Sequence, residues 1–251
     1  FMTDQRQEAF LQRIRQALGS DEGESFAQAD QTQQKTETSI PPPPRSEQEQ
    51  DDLVQRLIDA GQALHMQVRL CSDMEAVAVD VTDLARSKVQ KDKGVVAWDH
   101  HLLRELKLDK RLAEKGIRFS TTGWEGTATS DAQRLRQRTT IRRQVSTAFM
   151  GITSADFCLA DTATLVMKTR SGQARSASLV PEIHAAVIRK NQIIADLQEL
   201  YFLLAHDPEQ VQEGLTNCLT MISGPSKTAD IEMCMVHGVH GPRELHLFVL
   251  P

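Results

Sequence analysis

From residue 51 onward the apolar side chains switch repeatedly between helical and extended spacing, and this alternation restricts the chain to few folds. Leu53, Val54, Leu57, Ile58 and Leu64 share one helical face, and residues 65–70 then read as a strand. Ser72 with Glu75 three positions later forms a capping box, and Val77, Val81, Leu84 and Ala85 continue the helix it opens. Residues 95–98 give the next strand. Residues 101–115 follow as a helix with Leu102, Leu103, Leu106 and Leu112 on its apolar side, closed by Gly116 before a strand at 117–120. Parallel neighbours need a crossover between them, so the pattern predicts an α/β fold: a mostly parallel open sheet with helices on both faces.

The second half varies this theme. Residues 156–160 and 164–168 predict an antiparallel hairpin of buried strands, residues 185–188 a strand, and Ile193, Ile194, Leu197, Leu200, Tyr201 and Leu204 one helix face. Residues 215–222 read as a strand leading into Gly224-Pro225, residues 228–236 as a short helix, and residues 245–250 as the last strand.

Ahead of this domain, Phe10, Leu11, Ile14 and Leu18 recur at helical spacing and Gly19 supplies a stop, so residues 1–19 predict an amphipathic helix. Residues 20–50 are rich in Gln, Ser and Thr, include the run Pro41, Pro42, Pro43, Pro44, and read as a disordered linker to a domain at 51–251. With 40% hydrophobic residues in 251, the chain can bury one sizeable core. A net charge of −5 gives no global reason to expect nucleic acid or an anionic membrane. Cys71, Cys158, Cys218 and Cys234 form no C-x-x-C pair, so no metal cluster is expected on this chain. No apolar run approaches the roughly 18 residues of a membrane span, and the expectation is a cytoplasmic protein.

Six segments could carry chemistry. In Ser223-Gly224-Pro225-Ser226-Lys227-Thr228, continuing through Asp230 to Glu232, a strand is expected to bend into a helix whose first amides would attract phosphate or carboxylate; an ordinary capped turn is the other reading. A P-loop is excluded, because its glycines would fall at Met221 and Ser226, and no G-x-G-x-x-G follows a strand. His237, His240 and Gly241 sit in a glycine-rich turn too thin in ligands for a metal, whereas His184 is either a general base or a core histidine. The turn Asp161, Thr162, Ala163, Thr164, with Asp156 before it, offers two carboxylates for acid and base roles, or is simply a polar turn. Arg175 lies in a loop where it could clamp an anion or be solvated. Arg134, Arg136, Arg138, Arg142 and Arg143 make a basic patch without interleaved aromatics, read as a solvated face or an acidic-subunit contact, not a nucleic-acid site.

Taken together, Gly151-Ile152-Thr153-Ser154-Ala155-Asp156, the Asp161 turn, Ser178 through His184, Ser223 through Glu232 and His237 through Pro242 resemble the LUD domain, and more specifically the lactate-utilisation protein C family. The resemblance implies a fold akin to the sugar-phosphate isomerase and CoA-transferase superfamily. It also implies a role in a cytosolic system oxidising L-lactate to pyruvate, with iron-sulfur clusters on partner subunits and no identified cofactor on this chain. Where the family usually shows Glu-Thr-Gly-Thr, this chain has Asp161 and Ala163. The resulting expectation is a subunit binding a small carboxylate or other anion at the Gly224-Pro225 turn. The alternative is a stand-alone enzyme acting on a sugar phosphate or CoA ester.

Overall fold

The computed structural model describes residues 45–124, 130–206, 218–229 and 235–251, together with Gln12. Apart from Gln12, the expected helix at 1–19 and most of the expected linker therefore lie outside the described residues. The first described helix, α1 (Glu47–Ala63), starts ahead of residue 51, because Ser46 accepts the Glu49 amide and the Glu49 carboxylate returns to Ser46. Strand β1 (Gln67–Leu70) follows, then α2 (Met74–Lys88), β2 (Gly94–Ala97), α3 (His101–Glu105), α4 (Leu108–Glu114) and β3 (Phe119–Thr121). Next come α5 (Asp131–Ser146), β4 (Ala148–Thr153), the hairpin β5 (Phe157–Leu159) and β6 (Thr164–Lys168), α6 (Ser176–Leu179) and β7 (Ile183–Arg189). Strand β8 (Ile193–Ile194), α7 (Leu197–Ala205), β9 (Leu219–Ser223), β10 (Lys227–Ala229), β11 (Met235–His237) and β12 (Glu244–Leu250) complete the described elements.

Six strands form one all-parallel sheet in the order β1-β12-β7-β4-β2-β3. Passing from β1 to β2 to β3 the chain moves one way across it, and from β3 to β4 to β7 it moves back. Right-handed crossovers then set α2, α3 and α4 on one face and α5 and α6 on the other. The packing agrees, since α2 lies against α4, and α5 against α6, β2 and β4. This is the expected α/β architecture with both faces covered. A second sheet, β8-β5-β6-β9, carries the expected antiparallel hairpin.

Four local expectations need correction. Residues 101–115 are two helices, not one, broken where Lys107 takes a left-handed φ of 49°. Helix α2 is capped by Asp73, whose carboxylate accepts the Ala76 amide at 2.8 Å, one residue beyond the predicted Ser72. Ile193 and Ile194 pair with β5 instead of opening a helix, and Asp196 caps α7 after them. The described ends of the helix expected at 228–236 are strands instead: β10 and β11 pair antiparallel, Lys227 opposite His237 and Ala229 opposite Met235.

His65 closes α1 with φ of 64°, the left-handed position that glycine takes without a side-chain penalty, and it is exposed. His65→Gly is expected to stabilise the domain by about 1 kcal/mol, raising Tm by roughly 2–4 °C in a thermal melt. An unchanged or lower Tm would show that the contact between His65 and Lys227 outweighs the backbone strain.

Candidate functional site

The direction of the chain reverses between β2 and β4: the connection leaving β2 runs outward to β3, and the one leaving β4 runs inward to β7. In open parallel sheets a crevice forms at the carboxyl ends of the strands flanking such a reversal. Loops after β2, β3 and β6 meet there. The Asp99 amide donates to the Gly172 carbonyl at 3.1 Å, the Thr122 hydroxyl to the same carbonyl at 2.5 Å, and the Trp98 indole to Ala174 at 2.9 Å. These bonds dock residues 169–175 over the end of β2. Between that loop and α5 lies a cavity of about 560 Å³.

Its charge is one-sided. Arg138 and Arg142 from α5, and Arg170 and Arg175 from the loop, line it, and no Asp or Glu is among its described lining residues. Trp124, Ile141 and Val180 supply apolar wall. Arg170 is paired with Asp156 at 2.5 Å, and Asp156 also accepts the Lys168 amide at 2.7 Å. Arg138 and Arg142 make no ion pair among the described residues, and Arg175 donates to the Cys218 sulfur at 2.9 Å. Helix α5 buries only Val145, so Arg138 and Arg142 stay in solvent at the cavity rim.

Beside the Arg170–Asp156 pair stands His100, which sequence reading missed. Burial, then the neighbouring His101 and the positive charges of Arg170 and Arg104, pull its pKa down to about 4 against the opposing pull of Asp156. It is a neutral imidazole at pH 7, and its Nδ1 is enclosed without a hydrogen-bond partner among the described residues. Its uncommitted nitrogen can accept a hydrogen bond, while the same burial and positive neighbours disfavour a proton on the ring. Asp99-His100 directly follows a buried strand, but only the strand order shows that this strand borders the reversal.

Of the residues singled out from sequence, Arg175 joins the cavity wall and Asp156 braces Arg170 at its edge. Asp161 sits at the other end of β5, paired with Arg56 of α1, so the two carboxylates do not form the expected acid–base pair. Thr162, Thr164 and Ser223 form a chain of hydroxyls, with Thr162 to Thr164 at 2.7 Å and Thr164 to Ser223 at 2.6 Å. This chain and the Gly224-Pro225 turn lie at the opposite end of β6 from Arg170. No helix begins at that turn. The Ser226 amide is bonded to Pro242 at 2.8 Å, and Lys227 reaches the Leu64 carbonyl at 3.2 Å, capping α1. Thr228 is a strand residue, His240 and Gly241 lie in the following turn, and Asp230 and Glu232 fall outside the described residues.

His184 lies in the middle of the sheet, fully buried, its Nε2 2.8 Å from the Thr153 hydroxyl, which fits the core reading of this histidine. Burial, and then His246, lower its pKa to about 3. The unfolded chain therefore takes the proton first, and stability that is complete above about pH 6.5 is lost as pH falls towards 3. At pH 5 this group alone is expected to cost about 2 kcal/mol relative to pH 7. Urea denaturation at both pH values checks it: the loss should shrink by that amount in His184→Gln, and an equal loss in both proteins would refute the assignment.

Comparison with known proteins gives a consistent result. The LUD domain family model matches residues 54–250. A lactate utilization protein C of Shouchella clausii is 34% identical over 60% of this chain and 59% of its own length, so that alignment spans less than two thirds of the relative. A lactate utilization protein C of a Geobacillus species is 30% identical over 80% of this chain and 79% of its length. A crystal structure of a DUF162 family protein from Deinococcus radiodurans superposes with a TM-score of 0.52 at 20% identity, covering 83% of this chain and all of that one, and shares the fold. Among the described residues no helix is long and apolar enough to cross a membrane.

Proposed function

The chain belongs to the LUD-domain family, among the proteins called lactate utilization protein C, and from that membership we propose that it serves in the use of lactate, as a subunit of an L-lactate-oxidising system. Its own part is to hold a small carboxylate or other anion, and the electrons pass through clusters on iron-sulfur partner subunits. The observation that carries the binding role is the cavity with four arginines and no Asp or Glu among its described lining residues, on a chain of net charge −5. Such a cavity lowers the energy of an anion through charge-assisted hydrogen bonds in a partly desolvated space. The Gly224-Pro225 turn loses this role, because its amides have no helix behind them and the Ser226 amide is already bonded. The scattered cysteines support leaving the clusters to partners: Cys71 and Cys158 are buried, and burial pushes the Cys158 thiol up to about 12.

Deleting the chain is expected to abolish growth on L-lactate and spare growth on glucose, and the tagged chain is expected to co-purify with cysteine-rich subunits. Normal growth on lactate together with a chain that purifies alone would end this reading. A second reading, a stand-alone enzyme acting on a sugar phosphate or CoA ester, draws on the neutral His100 beside Asp156. Turnover by the purified chain, lost in His100→Gln, would favour it.

A further inference from the structure

We propose that the arginine-lined cavity is a site for a nucleoside diphosphate moiety, with the diphosphate on Arg138, Arg142 and Arg175 and the base against Trp124. This rests on the reading of that cavity as the anion site and names the class of anion. Charge is the first reason. Asp156 neutralises Arg170, which leaves three arginines facing the cavity without a carboxylate partner among the described residues. A monocarboxylate would balance one of them, whereas a nucleoside diphosphate carries roughly −3 near neutral pH.

Size is the second. A volume of about 560 Å³ falls within the range of sites that enclose cofactor-sized ligands, and a three-carbon acid would leave most of it to water. The third is the wall itself. Trp124 is 37% exposed, and among the described residues no ring or cation stacks on it. An indole left open beside arginines and flanked by Ile141 and Val180 offers a flat apolar surface next to a cationic one, the two chemistries that a base and its phosphates require. The hydroxyls of Ser171 and Ser176 line the same cavity and make no hydrogen bond among the described residues, so they remain available as donors.

Calorimetric titration of the full chain with ADP, coenzyme A, NAD+, inorganic pyrophosphate, L-lactate and pyruvate tests this. ADP is expected to bind and to quench the fluorescence of Trp124, since the other tryptophan, Trp98, is buried and bonded to Ala174. Trp124→Ala should weaken ADP at least ~5-fold and leave pyrophosphate unchanged, whereas Arg142→Gln should weaken both. Tighter binding of coenzyme A or NAD+ than of ADP would identify a cofactor carrying the moiety, and tighter ADP a free nucleotide; either supports the site. Lactate or pyruvate binding lost in Arg142→Gln, with no binding of any nucleotide, would overturn the nucleotide assignment and leave the carboxylate reading standing. No binding by any of the six would overturn both.

Discussion

Gly151→Ala is expected to be the most damaging single methyl that can be added to the described sheet. Gly151 lies in β4, paired with β2 on one side and β7 on the other, and a Cβ built there would come within 1.8 Å of the Ala177 carbonyl oxygen and 3.2 Å of Pro181. The obstacle is backbone, so no rotamer change relieves it, and α6 must move off the sheet. Overpacking of this kind costs about 3 kcal/mol or more, which for a domain of this size lowers Tm by roughly 6–12 °C. Because α6 begins at Ser176, immediately after Arg175, the displacement also carries the cavity wall with it. Chemical denaturation measures the first effect and anion titration the second. A variant as stable as the parent would mean that α6 does not rest on β4 in solution.

The second large effect is electrostatic and separable from folding. Arg138→Glu combined with Arg142→Glu is expected to weaken pyrophosphate binding by at least ~100-fold, since two charge-assisted hydrogen bonds worth about 1.5–3 kcal/mol each are replaced by repulsion. Both side chains are exposed and make no ion pair among the described residues, so the denaturation midpoint should shift little. The residual binding of the parent should also fall as salt is raised. Unchanged affinity in the double variant would remove the cavity as the anion site, whatever the family membership.

Sequence alone carried the parallel sheet well, and the reason is local. Strands such as β2 and β4 are buried on both faces and read as short apolar runs, while α1 and α2 repeat apolar residues at helical spacing. Failures came where periodicity is ambiguous. Ile193 and Ile194 extend the apolar face of α7 in sequence, yet Asp196 caps the helix only after them, so they were free to pair with β5. Thr228 and Asp230 looked like the start of a helix, but Lys227 to Ala229 finds a better partner in residues 235–237, which no local pattern announces. The family resemblance rested on that same turn and was sound, although the turn's geometry was not as read. Ala163 shows a pattern difference with a visible counterpart, for it holds a left-handed φ of 44° at the place where the family usually has glycine.

The cavity was legible only in part. In sequence Arg175 reads as a loop cation and the arginines of α5 as a separate surface patch. What joins them is the tertiary fold: the loops after β2, β3 and β6 are hydrogen-bonded together, and the cavity lies between the last of these and α5. Arg170, Trp124 and His100 were not distinguished, since an arginine, a tryptophan or a histidine next to a strand end becomes informative only when the strand's neighbours are known.

Strand β12 lies between β1 and β7, with Gln67 opposite His246 and Leu245 opposite His184. During synthesis, then, β1 emerges from the ribosome with no permanent neighbour and must wait until residues 244–250 arrive to join it to the sheet. Closure of the parallel sheet is thus expected to wait for its last described strand: a nascent chain halted near residue 240 should leave β1 without a strand neighbour and open to proteases, while α1 can already meet Asp161, Lys190 and Ile193.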